Sequence, residues 1–246
     1  MKLTLFILVS CILITLNSCS DHTYAPALFH QDIAYQPKPA SYDTAKSATY
    51  ISMGLNYYLD PTWTALLASG QFNISRGYVF NKFNLAYGAF GVLGNFDEGK
   101  FRPFGAYGAR ASANLFTTYD RMDFRYLGVE MAYSNEFGSY ANYRRNISSL
   151  PGYHVDTRTN LFTMGLTSEV IFHNVRNKNI SNGLRVFLGY TFGDNTINEK
   201  YLIHRDFEPA FFDTVFPKIS YFLKVDKFIA TIEGGKQIFL RAGYSF

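Results

Sequence analysis

The feature that most constrains this chain is a two-residue alternation of apolar and polar side chains, clearest in its last ten residues. Residues 237–246 place Ile238, Leu240, Ala242, Tyr244 and Phe246 on one face and Gln237, Phe239, Arg241, Gly243 and Ser245 on the other. Successive side chains of a strand point to opposite faces, so this period specifies a strand with one apolar side. The same alternation recurs over 51–59, 68–75, 83–90, 107–115, 126–133, 162–172 and 184–192. With the last strand that makes eight. Two segments are less regular. Residues 137–146 alternate weakly, and 219–233 alternate until Asp226-Lys227 breaks the register as a bulge would. Counting both as strands raises the number to ten.

The medium these strands face follows from composition. Past the N-terminal stretch no run of 18 apolar residues occurs, so helical membrane spans are excluded. Yet the chain holds 24 Phe and 19 Tyr against one Trp, and charged residues are only 17%, where a soluble domain carries about 25%. Low charge, abundant glycine and an aromatic excess suit strands with one lipid-facing side and aromatic girdles at the interfaces. The fold class expected is therefore all-β: an antiparallel transmembrane β-barrel of 8 or 10 strands, an even number as in single-chain bacterial barrels. A barrel of this size has a narrow interior filled by side chains, not an open pore. The formal net charge is +4 with Lys and Arg scattered, so nucleic acid is not an expected partner.

Lipid at mid-depth excludes charge, because a lipid-facing charge there costs about 2–4 kcal/mol. Arg110, Glu130, Glu169 and Arg185 all fall on the predicted inner face, and Arg241 shares it. These five are expected to form a lumenal charge network. It either fills the interior structurally or lines a narrow polar path. Arg125 falls on the outer face near a strand end, where a long side chain reaches the headgroups.

The N-terminus is of a different kind. After Lys2 the chain is apolar from Leu3 to Leu16, the pattern of a secretory signal peptide. The run ends Leu16-Asn17-Ser18-Cys19, which resembles the lipobox of bacterial lipoproteins. That resemblance implies cleavage before Cys19 and lipidation of its thiol; ordinary secretion is the alternative. Cys11 leaves with the signal, so the mature chain has no disulfide and no thiol-based metal site. Residues 20–46 hold Pro26, Pro37 and Pro39 and show no sustained period. Such a segment cannot fold alone. The expected organisation is thus a signal peptide over 1–18, a lipidated cysteine and flexible tether over 19–46, and the barrel over 47–246.

The other terminus carries a second resemblance. Gly243, Tyr244 and the terminal Phe246 match the C-terminal strand that insertion machinery reads in outer-membrane proteins. Tyr24-Ala25-Pro26 and Leu28-Phe29 after Cys19, followed by Leu85-Ala86-Tyr87-Gly88 and Phe104-Gly105-Ala106-Tyr107-Gly108, resemble the barrel lipoproteins of Bacteroidota. Asp43-Thr44-Ala45 and Asp213-Thr214-Val215 look like the O-glycosylation triplet of the same bacteria. The resemblance implies an outer-membrane location and no particular activity.

Two long loops are expected, one ending near Thr157 and one over 193–218, the latter with His204, Arg205, Asp206, Glu208 and Phe211-Phe212. An enzyme would need a histidine beside a nucleophile or acid. His154 and Asp156 share a loop with Ser148 and Ser149, which permits such a set, but no Gly-x-Ser-x-Gly or His-Glu-x-x-His occurs. No catalytic residue, metal site or cofactor is therefore assigned. The expected role is non-enzymatic: a structural or binding element whose partners are outer-membrane lipid, the barrel insertion machinery, and another envelope protein or a glycan. The alternatives are a small enzyme acting on envelope lipid and a narrow channel.

Overall fold

A computed structural model describes residues 22–59, 66–97, 99–151, 153–174, 177, 179–192, 215–235 and 238–246. The signal segment, Cys19 and the loop residues His204 to Phe212 lie outside the described residues. In chain order the elements are β1 (His22–Tyr24), β2 (Ser47–Leu59), β3 (Leu66–Val79), β4 (Phe83–Asp97), β5 (Phe101–Tyr119), β6 (Met122–Gly138), α1 (Ser139–Ile147), β7 (Tyr153–Val155), β8 (Asn160–His173), β9 (Ile180–Phe192), β10 (Phe216–Val225), β11 (Phe228–Gly234) and β12 (Ile238–Ser245). Ten of the strands close an antiparallel barrel, in which β12 pairs with β2 and β9 with β10. β1 and β7 form a separate parallel pair.

The alternation sorts side chains as a bilayer requires. Met53, Leu55, Leu93, Tyr107 and Leu240 point outward and are exposed, while Ser52, Gln71, Asn114, Thr163 and Ser220 point inward and are buried. An apolar belt running round the whole outer wall is far more than a soluble monomer exposes, and it identifies the lipid-facing surface. Aromatic girdles border it. At one end Phe80 stacks on Phe83 at 4.3 Å and Tyr244 meets Phe246 at 4.9 Å; at the other Phe162 meets Phe192 at 5.4 Å. Arg76 points outward beside the Tyr78 ring, 5.4 Å from its centroid, in the first girdle.

The two ends of the barrel differ. One end has connections of six residues or fewer, 80–82, 120–121, 174–179 and 226–227, together with Ser47 and Phe246. The other carries the two longest connections, 139–159 and 193–215.

Ten strands arise by a different route from the one expected. Residues 137–146 are not a strand: β6 ends at Gly138 and α1 follows. Gly138 has φ 114°, a backbone that favours glycine and turns strand into helix. Tyr140, Ala141, Arg144 and Ile147 are the buried face of α1, spaced at helical rather than strand period. Residues 219–233 are two strands, not one bulged strand. Asp226-Lys227 is a two-residue hairpin turn between Val225 and Phe228, with Asp226 left-handed at φ 54°.

Arg125 is also corrected. The register of β6 against β8 shifts between Arg125 and Gly128, and Tyr126 and Leu127 both face outward. This bulge reverses the parity, so Arg125 faces the lumen and is buried at 1% exposure.

The largest departure concerns the tether. Its residues from Tyr24 to Ala40 are not a flexible linker but run through the barrel interior. Ile33 and Tyr35 are among the most buried residues of the chain, and Asp32 has no exposed surface. The segment could not bury surface by itself; the barrel wall supplies that surface.

Candidate functional site: the occupied lumen

An irregular chain inside a barrel has a problem of backbone satisfaction. Its N–H and C=O groups are buried without sheet partners, and each one left unpaired is costly. Pro37 and Pro39 remove two donors from the count. Ionised side chains of the wall meet many of the rest.

Cations collect carbonyls. Arg110 Nε donates to the carbonyl of Asp32 at 2.5 Å, and Lys218 Nζ to that of Ile33 at 2.8 Å. Arg241 donates to the Tyr35 carbonyl at 2.7 Å and Arg125 to the Pro39 carbonyl at 3.1 Å. Carboxylates collect amides. Ala27 N–H donates to Glu136 at 2.6 Å, Tyr35 N–H to Glu233 at 3.0 Å and Ser41 N–H to Asp123 at 2.7 Å. Charge-assisted bonds of this sort are about twice as strong as neutral ones.

The same charges pair with one another. Arg185 forms a two-pronged ion pair with Glu130, and its other nitrogen lies 3.6 Å from Glu233. Glu233 also accepts from Arg241 at 2.6 Å. Arg125 and Glu169 pair at 2.7 Å, and Glu169 accepts from the Tyr35 hydroxyl at 2.9 Å. Of the five residues singled out from the sequence, Glu130, Arg185 and Arg241 thus join one cluster through Glu233. Glu169 belongs to a second with Arg125. Among the described residues no carboxylate pairs with Arg110: Asn73 Oδ1 accepts from it at 2.6 Å, and its guanidinium lies over the Phe90 ring at 3.7 Å. Sequence reasoning missed Asp123, Glu136, Lys218 and Glu233. Glu233 was obscured by the misread hairpin, Lys218 because it was read as the end of the 193–218 loop although β10 already starts at Phe216, and Glu136 because β6 runs on to Gly138, past the strand read to residue 133.

Apolar side chains of the segment dock at three depths. Tyr24, Ala27 and Leu28 pack with Phe90, Phe104, Tyr140 and Leu161 near the long-loop end. Ile33 packs with Ala132, Phe187 and Phe216. Tyr35 stacks on Phe222 at 4.9 Å. His30 is sandwiched between Phe29 and Phe216 at 4.1 and 4.3 Å. At the short-turn end Asp43 pairs with Lys224 at 2.9 Å, and Ser41 bonds to Asp123.

Above the lumen α1 and the β1–β7 pair form a cap. Arg144 of α1, fully buried, pairs with Glu136 at 2.8 Å and donates to the Asp156 carbonyl. The Asp156 carboxylate is held by Arg158 at 2.5 Å, and the Ser148 hydroxyl donates to the Arg145 carbonyl at 2.7 Å. Asp156 and Ser148, two of the four residues that permitted a catalytic set, are therefore engaged elsewhere. Among the described residues no group of His, Cys, Asp and Glu has the arrangement of a metal site. At the C-terminus Tyr244 packs edge-on against Phe228 at 5.1 Å, and Phe246 is exposed to the lipid side.

No family model matches the sequence, and no curated protein does. Solved structures resemble it in outline. Neisserial surface protein A is 12% identical with a TM-score of 0.39, covering 82% of this chain and 98% of its own. The transport unit of the autotransporter AIDA-I from Escherichia coli is 8% identical with a TM-score of 0.36, covering 85% and 93%. The KdgM porin is 14% identical with a TM-score of 0.30, covering 81% and 98%. These likenesses are loose ones of architecture, and none brings a role to this chain.

Proposed function

We propose that this chain is an outer-membrane lipoprotein whose barrel is closed by its own N-terminal segment and acts as a non-enzymatic platform. It would be anchored through Cys19, inserted by the machinery that reads Gly243, Tyr244 and Phe246, and would present its loop-end cap to another envelope protein or a glycan. One observation carries this reading: the lumenal charges Arg110, Glu233, Arg241 and Arg125 are engaged by the backbone of residues 32–39. A transport path would need those groups facing water. An enzyme would need an accessible acid or base set, and the candidate acid Asp156 is buried under Arg158.

The test joins fractionation to electrophysiology. Wild type and Cys19→Ala should both give a heat-modifiable band in the outer-membrane fraction, with only the wild type incorporating labelled fatty acid. Purified wild type should show no steady conductance in planar bilayers. A conductance that disappears when Arg110 and Glu130 are neutralised would overturn the closed platform in favour of a channel. A soluble band unchanged by boiling would overturn the membrane location itself.

A further inference from the structure

We infer that the chain is threaded outward through its own barrel, so that the residues before His22 lie at the cell surface and an acyl group on Cys19 enters the outer leaflet. The lipid clause rests on the lipoprotein reading above; the path of the chain does not.

The direction is fixed by a series of contacts along the segment. Ala27 bonds to Glu136, two residues from the end of β6 that leads into the loop cap. Tyr35 bonds to Glu233 and Glu169. Pro39 bonds to Arg125, and Ser41 to Asp123, beside the short turn at 120–121. Asp43 then reaches Lys224, beside the short turn at 226–227. Depth in the barrel therefore falls steadily as residue number rises, from the long-loop mouth to the short-turn mouth. At the upper end Thr23 lies opposite His154 of β7 in a parallel ladder, and Asp156 N–H donates to the Tyr24 carbonyl at 2.9 Å. The N-terminal end is thus tied into the connection between β6 and β8.

Which mouth faces outward follows from the connections. Outer-membrane barrels have short periplasmic turns and longer external loops. The mouth that holds β1 carries the connections 139–159 and 193–215, and the opposite mouth carries the two-residue turns. Cys19 stands three positions before His22, a reach of at most about 11 Å. Lipid on that cysteine therefore belongs to the leaflet around the external mouth. An anchor in the inner leaflet would require residues 24–40 to leave the lumen and strand the charges that hold them. The partner of the N-terminal end is then the outer leaflet, and the anchored chain cannot slip back through the barrel.

Variants that each add one cysteine to the full chain, compared with the unaltered chain in intact cells, test this with a membrane-impermeant maleimide. Leu150→Cys marks the loop cap, Asn177→Cys a short turn and Asp21→Cys the N-terminal end. Asp21→Cys should be labelled to the same extent as Leu150→Cys, with Asn177→Cys labelled only after the outer membrane is opened. Labelling of Asp21→Cys only together with Asn177→Cys would overturn the path, as would labelling of Asn177→Cys but not Leu150→Cys on intact cells. The pair Thr23→Cys with His154→Cys gives a second reading: a disulfide in the assembled protein is expected, and accessible thiols that fail to join would overturn the threading. The lipid clause fails separately. If wild-type cells are labelled at Cys19, that thiol is free and unacylated, while the outward path stands.

Discussion

The two halves of the lumen wall are built from different chemistry. The inner face of β2, β3 and β4 carries Tyr50, Ser52, Asn56, Ser69, Gln71, Asn73, Ser75 and Asn84, with no charged side chain pointing inward among the described residues. The inner face from β5 to β12 carries Arg110, Asp123, Arg125, Glu130, Glu136, Glu169, Arg185, Lys218, Glu233 and Arg241. Both walls are polar and both exclude lipid, so polarity alone does not explain the split. The charged wall supplies most of the bonds to the segment's backbone. The neutral wall lets the segment come close: a Cβ built on Gly77 would lie 3.0 Å from the Lys38 Cα, the Pro37 carbonyl and the Pro39 ring. One side holds the chain, and the other leaves room for it.

Removing residues 25–40 would break this division most severely. The charged wall would keep its ion pairs but lose the backbone groups that complete them, and buried polar groups left unmet cost about 1–3 kcal/mol each, more when charged. The heat-modifiability midpoint should fall further than for any single substitution, and a steady conductance should appear in planar bilayers. A deletion variant as stable and as silent as wild type would mean that the segment is a passenger, not part of the fold.

Among single changes Glu233→Ala should be the worst. Glu233 serves Arg241, Arg185 and the Tyr35 amide together. Losing one partner of a buried charge network costs about 3–5 kcal/mol, while replacing a whole pair by apolar residues is often neutral. Urea unfolding in detergent should show Glu233→Ala well below the double change Glu130→Leu with Arg185→Met. If the double change proved the more damaging, the network would be holding the barrel rather than the segment. Tyr35→Phe removes only the bond to the Glu169 carboxylate, and the same assay should register about 1.5–3 kcal/mol, the usual range for a hydrogen bond to a charged group.

The contrast between the walls also shows what the sequence could reveal. Inward charge was legible in Arg110, Glu130, Glu169, Arg185 and Arg241, because a period of two leaves no ambiguity inside a regular strand. It failed where regularity fails. A bulge at Tyr126-Leu127 turned Arg125 inward, and a two-residue turn at Asp226-Lys227 split one apparent strand. The lumenal segment was illegible for a further reason. Its partners lie up to 206 residues away, as in the bond from Arg241 to Tyr35, and backbone groups held by side chains leave no periodic trace. A hint was present all the same: a narrow lumen with this many ionised groups has more donors and acceptors than ion pairing alone absorbs.

The neutral wall gives the smallest effects and the sharpest test of the division. Gly77→Leu adds bulk where Pro37 and Pro39 pass, without touching a charge, and should cost about 1–3 kcal/mol by overpacking. Ser52→Ala, on the same wall but removing only a hydroxyl, should cost less than about 1 kcal/mol, since among the described residues no side-chain bond to that hydroxyl is lost. If the neutral wall merely lines a void, the two variants should unfold alike. If it is the surface against which the charged wall presses the chain, Gly77→Leu should be clearly the less stable, and deleting residues 25–40 should erase the difference, because the clash exists only while the chain is there to be displaced.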